Sequence, residues 1–169
     1  GTGKTTTVNA ILALFQNQAD RVALCAPTGR AAKRLSELTG QKAQTIHRLL
    51  EVDYDPQIHL LRFIHNEKNL LKCDVVVLDE MSMVDAKLFQ SLLAALKHGC
   101  RIIMVGDADQ LPSVGAGNVL GDILSSGVVP ACCLTDIFRQ GETSRIVVNA
   151  HRINHGEMPL LNEKGTDFF

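Results

Sequence analysis

The chain begins with residues of the types that bind phosphate. They are Gly1, Thr2, Gly3, Lys4, Thr5 and Thr6. Gly3-Lys4-Thr5 fills the last three positions of the phosphate-loop pattern G-x-x-x-x-G-K-[ST]. In such a loop, backbone N–H groups and the positive end of the next helix surround the phosphates. We therefore expect Lys4 to reach the β- and γ-phosphates of a nucleotide and the Thr5 hydroxyl to hold Mg²⁺. A plain Gly-Lys-Thr turn at a helix start is the alternative, and this motif alone leaves both open.

The first glycine of the pattern would stand three residues before Gly1, and the strand that leads into such a loop would come before it. We expect the fold to lack that N-terminal strand, and the phosphate loop of the isolated chain to be too incomplete for strong ATP binding.

An acidic pair ends the most apolar segment of the chain. The segment Val75–Glu80 reads VVVLDE, which is typical of a strand buried on both faces of a parallel sheet. An Asp at the carboxyl end of such a strand projects into the crevice where ligands bind. We expect Asp79 to hold Mg²⁺ and Glu80 to activate the attacking water. An acidic turn without function is the less favoured alternative.

A second apolar segment ends in a polar cluster. It begins at Arg101 and reads RIIMVGDADQLP. Parallel strands end at one edge of a sheet, so Asp107 and Gln110 are expected near Asp79. Gln110 is a candidate sensor of the γ-phosphate or of the attacking water. Like charges gathered there are costly unless a cation is present.

A basic helical face follows the segment Pro27-Thr28-Gly29-Arg30. Arg30, Lys33 and Arg34 share one face, and the apolar face is assigned to Ala31, Leu35 and Leu38. The helix start, with Thr45 and His47 further on, could bind nucleic-acid phosphates. A solvated basic surface is the alternative.

Arg139 follows the last predicted strand, in the segment LTDIFRQ. An arginine there could stabilise charge on the γ-phosphate in the transition state. Taken alone, the segment fits a surface salt bridge better.

The remaining sequence predicts an α/β fold. Its 169 residues, 46% apolar with a net charge of −1, suit one domain over 1–169 with a possible small insertion at 51–70. Nucleic-acid contacts must then come from a local basic patch. Five cysteines without C-x-x-C spacing favour a reduced, cytoplasmic protein, and no membrane-spanning segment is evident.

Alternating apolar and amphipathic segments predict a parallel sheet flanked by helices. Strands are expected at 21–26, 74–79, 101–105 and 131–134, with a loop or small hairpin at 52–68. Helices are expected at 4–17, 29–38, 45–50, 84–96, 119–124 and 144–154.

In order, several blocks resemble the RecD-like helicases, the branch of superfamily 1 that includes the exodeoxyribonuclease V alpha subunit. They are GTGKTTT, APTGRAAKRL, QTIHRLL, VVLDEMSMVD, VGDADQLPSVGAGNVLGDIL, LTDIFRQ and SRIVVNAHRINHG. The blocks run from Gly1 to Gly156, and DEMSMVD with GDADQLPSVGAG is the most discriminating pair.

The resemblance implies the first RecA-like motor domain of an ATP- and Mg²⁺-dependent helicase, which moves 5′ to 3′ on single-stranded DNA and opens duplex junctions. It implies that Gly1 to Thr6 bind the nucleotide, that Asp79 binds the metal and that Glu80 activates the water. It also implies that Gln110 couples ATP hydrolysis to movement on DNA and that Arg139 contacts phosphate. It implies a DNA track of Pro27, Thr28, Gly29, Arg30, Thr45 and His47. A recombination or repair complex would supply partner subunits.

Translocation needs two motor domains closing on ATP, so we expect the isolated chain to be inactive. Two other functions remain open: a P-loop ATPase that does not act on nucleic acid, and a non-catalytic, ATP-gated DNA-binding module.

Overall fold

The computed structural model describes residues 3–18, 20–55, 60–134 and 145–160. The chain divides into two compact units. The larger is Thr7–Ala131, and the smaller combines Gly1–Thr6 with Cys132–Phe169.

The larger unit contains a four-stranded parallel sheet. Its strands are β1 (Val22–Ala26), β2 (Ala43–Thr45), β5 (Val75–Leu78) and β6 (Arg101–Met104), in the order β2-β1-β5-β6. The four residues of β5 are 0% exposed, as expected for a strand covered on both faces. The predicted α/β fold with a parallel sheet is confirmed.

Helices cover both faces of this sheet, and alternate residues of β5 point into two separate cores. Val75 and Val77 pack with apolar residues of α1 (Lys4–Asn17) and α2 (Gly29–Thr39). Val76 and Leu78 pack with α3 (Ile46–Leu50) and α4 (Ala86–Ala94). The period of two in strand side-chain direction thus builds three layers from one apolar run.

Short polar side chains set the helix starts. The Thr28 hydroxyl accepts a hydrogen bond from the Ala31 N–H at 3.2 Å, and Thr45 accepts one from the Arg48 N–H at 3.2 Å. Asp85 does the same for Leu88 at 2.8 Å. Such caps stabilise a helix by about 1 kcal/mol each. The helix predicted at 84–96 is shorter than expected and spans Ala86–Ala94, because Asp85 is its N-cap and Ala95 its C-cap.

Residues 52–55 and 60–63 form a separate two-stranded sheet. Strands β3 (Val52–Asp55) and β4 (Leu60–Phe63) are antiparallel, with Val52 opposite Phe63. Of the loop or hairpin expected here, the structure shows the hairpin. That residues 51–70 are an insertion remains a prediction.

The amino-terminal edge of the sheet carries two ion-pair groups. Asp74 accepts from Arg21 Nε at 3.1 Å and is paired with Lys97. These cations hold the pKa of the Asp74 carboxyl well below its usual range, with the Arg21 hydrogen bond the largest cause. Arg101 binds Asp20 at 2.5 Å. Strands β5 and β6 are therefore anchored electrostatically where they begin.

Helix α5 (Val119–Ser126) belongs to the larger unit, and the smaller unit contains helix α6 (Arg145–Asn154), close to the helix predicted at 144–154. Asn149, 2% exposed, accepts from the Leu160 N–H at 2.7 Å and donates to the Leu160 carbonyl at 3.3 Å. This pair of bonds ties the segment after α6 back onto the helix.

The strand predicted at 131–134 is wrong, because these four residues are exposed and belong to no strand. Pro130 precedes them, and a short apolar run without a neighbouring strand to receive its hydrogen bonds cannot form a ladder.

The five cysteines differ in exposure. Cys25 and Cys73 are buried, Cys100 is intermediate, and Cys132 and Cys133 are exposed. Burial raises the pKa of Cys25 to about 12 and that of Cys73 to about 11. In the part of the chain that the structure describes, no helix is long and apolar enough to span a membrane.

Candidate functional site

The carboxyl ends of the parallel strands gather most of the predicted site residues of the larger unit. Ala26 lies opposite Thr45, Cys25 opposite Leu78, and Leu78 opposite Met104. The segments that follow β1, β5 and β6 therefore leave the same edge of the sheet. They carry Thr28, the acidic pair and the Gln110 loop, which we define as residues 106–118.

Asp79 is held in place by its backbone neighbours. Its N–H donates to the Cys25 carbonyl at 3.0 Å, which continues the ladder between β1 and β5 by one residue. Its Oδ1 accepts from the Glu80 N–H at 2.9 Å. The carboxylate is partly buried, and oxygen of this kind is the ligand that Mg²⁺ prefers. Asp79 thus fits the predicted metal role.

Glu80 has a strained backbone, with φ 54° and ψ 43°, in the left-handed region. The next residue fixes this bend, since the Met81 N–H donates to the Val105 carbonyl at 2.9 Å. Such strain costs about 1–3 kcal/mol and is concentrated at functional sites. Sequence reasoning missed this bend, because glutamate gives no signal for positive φ. The bend turns the chain immediately after the predicted metal ligand.

Asp107 shapes the turn that carries Gln110. Its Oδ1 accepts from the Asp109 N–H at 3.2 Å, and its Oδ2 accepts from Gln110 Nε2 at 3.3 Å. The Gln110 N–H donates to the Asp107 carbonyl at 3.3 Å. Gln110 is exposed, so its side chain is oriented by Asp107 while it remains accessible. The expectation that Asp107 belongs to the same edge as the acidic pair agrees with this geometry.

The phosphate-loop residues are only partly described. Gly3 has φ 82°, a conformation suited to glycine, and α1 begins at Lys4. Gly1, Thr2 and the Thr5 side chain lie outside the described part of the structure. Lys4 belongs to the smaller unit and Asp79 to the larger. That they bind one nucleotide remains a prediction.

The basic face of α2 is exposed as predicted, at Arg30, Lys33 and Arg34. Lys33 Nζ lies 3.9 Å from Glu37 Oε1. The apolar face differs from prediction. Ala32 and Leu35 are buried at 4% and 3% exposed, while Leu38 is 42% exposed. Leu38 is exposed because it lies in the last turn of α2, and this turn of the helix extends beyond the core.

Two predicted DNA-track residues also have structural roles. The Thr28 and Thr45 hydroxyls accept helix-capping hydrogen bonds, as described above, yet a capping hydroxyl keeps its own proton to donate. The His47 ring contacts Phe63 of the hairpin, with centroids 5.7 Å apart. An open cleft of about 490 Å³ lies beside them, lined by Thr45, His47, Arg48, Glu51 and Val52. The His47–Phe63 contact joins α3 to the hairpin, and the cleft lies at the junction of α3 with β3. Arg139 lies outside the described residues.

Comparison with known proteins supports the sequence interpretation. Residues 1–116 match the family model described as an AAA domain. The ATP-dependent RecD2 DNA helicase of Deinococcus radiodurans is 43% identical over 97% of this chain and 22% of its own length. The RecBCD enzyme subunit RecD of Mycolicibacterium smegmatis is 40% identical over 95% of this chain and 33% of its own. The chain thus spans about a fifth to a third of these relatives.

Solved structures agree on the fold. Pif1 helicase from Candida albicans matches with a TM-score of 0.67 at 23% identity, over 94% of this chain and 39% of that one. Bacteroides Pif1 in complex with ADP-AlF4 matches with a TM-score of 0.56 at 27% identity, over 90% and 40%. The chain belongs to the family described as an AAA domain, and its predicted resemblance to the RecD-like helicases is confirmed.

Proposed function

We propose that this chain is the first motor domain of an ATP-dependent DNA helicase that moves 5′ to 3′ along single-stranded DNA. The observation that carries the proposal is the convergence of Asp79, Glu80 and the Gln110 loop at one edge of a parallel sheet. That edge is where parallel α/β sheets bind ligands. The similarity to RecD2 supplies the choice of ATP and DNA.

Within the nucleotide site, each residue has one role. Gly1 to Thr6 surround the phosphates, with Lys4 on the β- and γ-phosphates and Thr5 on Mg²⁺. Asp79 holds the same Mg²⁺. Glu80 orients and activates the water that attacks the γ-phosphate. Its left-handed backbone turns the chain directly after Asp79.

Two further residues respond to the γ-phosphate. Gln110, oriented by Asp107, senses whether the γ-phosphate is present and couples its hydrolysis to the DNA track. Arg139 stabilises the charge that develops on it in the transition state.

DNA binds along Pro27, Thr28, Gly29, Arg30, Thr45 and His47. Arg30 and Arg34 add positive charge on an exposed helix face, and backbone-tracking cations supply most of the sequence-independent affinity. The hairpin at 52–63, joined to His47 through Phe63, contacts the duplex junction. The relative named a RecBCD enzyme subunit supports action with partner subunits in recombination or repair.

The deciding experiment measures ATP hydrolysis by the full-length protein with and without single-stranded DNA, with Lys4→Ala as the blank. Strong stimulation that Lys4→Ala abolishes is expected. Glu80→Gln should keep nucleotide binding and lower hydrolysis by about 100-fold or more. Hydrolysis indifferent to DNA would refute the helicase proposal and favour an ATPase with another partner. Unchanged hydrolysis in Glu80→Gln would refute the water-activating role of Glu80. A wild-type protein that binds ATP and DNA without hydrolysing ATP would favour the non-catalytic module.

The DNA track is tested by salt dependence. Arg34→Ala should weaken single-stranded DNA binding and reduce the slope of log K against log salt by about 0.7. Lys87→Ala removes an exposed cation from α4, on the opposite face of the sheet, and is the matched control. Equal slopes for the two variants would contradict the assignment of α2 to the track.

A further inference from the structure

The Gln110 loop is joined to the acidic segment at two places. We define the acidic segment as residues 79–86. At the near end, the Met81 N–H donates to the Val105 carbonyl at 2.9 Å. Gly106 packs so closely that an added Cβ would lie 3.1 Å from the Met81 Cβ and 2.8 Å from Leu120 Cδ2. The loop therefore begins in contact with the residue that follows Glu80.

The far end of the loop returns to the same segment. The Ala86 N–H donates to the Ala116 carbonyl at 3.0 Å. An added Cβ on Gly115 would lie 2.6 Å from the Asp85 Cβ and 2.7 Å from its Cγ. The Ser113 hydroxyl donates to the Gly115 carbonyl at 2.9 Å, which closes the turn against Asp85. Gly106, before Gln110, thus packs on Met81, and Gly115, after Gln110, packs on Asp85.

We propose that Gly115 and Asp85 are positioning residues for nucleoside triphosphate hydrolysis, because their close packing holds the Gln110 loop in register with Glu80. The inference rests on the proposed function and names residues that it leaves without a role. Neither residue touches the nucleotide. Each acts through the loop, which cannot shift without breaking the Ala86–Ala116 bond or the packing on Asp85.

Gly115→Ala tests the packing directly. Optimal carbon–carbon contact is about 3.5–4.0 Å, so a methyl group at 2.6 Å from the Asp85 Cβ forces the loop outward by about 1 Å. A misplacement of that size can cost about 100-fold in rate. In the full-length protein we expect kcat for ATP hydrolysis to fall by about tenfold or more. The KM for ATP should stay within about threefold, because the phosphate-binding residues are untouched.

A compensating substitution separates positioning from a general loss of structure. Asp85→Gly empties the space that the new methyl group needs, and glycine is a tolerated N-cap that costs only a few tenths of a kcal/mol. The double variant Asp85→Gly/Gly115→Ala should therefore recover most of the kcat lost in Gly115→Ala. A double variant as slow as Gly115→Ala would overturn the proposal, and so would a wild-type kcat in Gly115→Ala.

Ser113→Ala provides a milder variant should Gly115→Ala fail to fold. It deletes the hydroxyl that closes the turn and adds no atom, so the protein should fold normally and show a reduced kcat. A wild-type kcat with a lowered melting temperature would mean that the turn is structural only, and would overturn the proposal. All rates are measured with and without single-stranded DNA. A wild-type rate indifferent to DNA refutes the helicase proposal, while the same set of variants still judges the positioning role.

Discussion

Replacing Glu80 with glycine is expected to inactivate the protein and yet to leave it more stable than replacing Glu80 with alanine. Glu80 has φ 54° and ψ 43°, a region that costs an L-residue about 1–2 kcal/mol and costs glycine nothing. Glycine also gains freedom in the unfolded chain, which lowers stability by about 0.4–1 kcal/mol. The difference leaves Glu80→Gly more stable than Glu80→Ala by about 1 kcal/mol. For a chain of this size that is about 2–4 °C in melting temperature.

The comparison with alanine isolates the backbone. Glu80→Ala and Glu80→Gly both lack the carboxylate, so they differ only in the Cβ that the left-handed conformation disfavours. Glu80→Gln keeps the side-chain shape and should melt close to the wild type. Melting curves by circular dichroism give the stabilities, and ATP hydrolysis gives the activities, which should be low in all three. A glycine variant equal to or less stable than the alanine variant would refute the claim that strain is stored at Glu80.

Three further outcomes are expected. Leu92→Ala, at a side chain 0% exposed, should lower the free energy of unfolding by about 2–5 kcal/mol in urea titrations, whereas Leu93→Ala, 44% exposed, should change it by less than about 0.5 kcal/mol. In Asp74→Asn, the melting temperature should fall less steeply with decreasing pH than it does in the wild type. The pKa of Asp74 is depressed in the folded protein, so its ion pairs contribute their full stabilisation above the pKa of the unfolded state, about 3.9. This stabilisation is lost as the pH falls from there toward the lower pKa of the folded state. Thr28→Ala should lower the free energy of unfolding by about 1 kcal/mol, because it removes the N-cap of α2. Thr28→Ser keeps a capping hydroxyl and should have a free energy of unfolding close to the wild-type value in the same urea titration.

The parallel sheet could be predicted because its central strand has a simple signal. Val75 to Leu78 are apolar without a break, and only burial on both faces explains such a run. The carboxyl-edge positions of Asp79 and Gln110 followed from chain direction alone. Helices α1 and α6 were predicted almost to the residue because their apolar positions repeat at helical spacing over ten residues or more.

Other features depend on contacts that local sequence does not encode. Strand β2 is three residues long and polar at Gln44, so it exists only because β1 offers it hydrogen bonds. The left-handed backbone conformation of Glu80 is fixed by the hydrogen bond from the Met81 N–H to the Val105 carbonyl. This bond joins the segments that follow β5 and β6. Leu38 was assigned to the core because the pattern continued to it, although the core ends one turn earlier. The packing of Gly115 on Asp85 joins two segments thirty residues apart.

The burial of its thiols decides where this protein can carry a reporter. With pKa values of about 12 and about 11, Cys25 and Cys73 are thiolate at neutral pH in about one molecule in ten thousand or fewer, and thiolate is the reactive form. A maleimide dye will therefore react at the exposed Cys132 and Cys133 and leave the buried Cys25 and Cys73 unmodified, while Cys100 is of intermediate exposure. With Cys100 and Cys132 changed to serine, the dye on Cys133 stands six residues before Arg139. Its fluorescence could then follow that segment through each cycle of nucleotide binding and release.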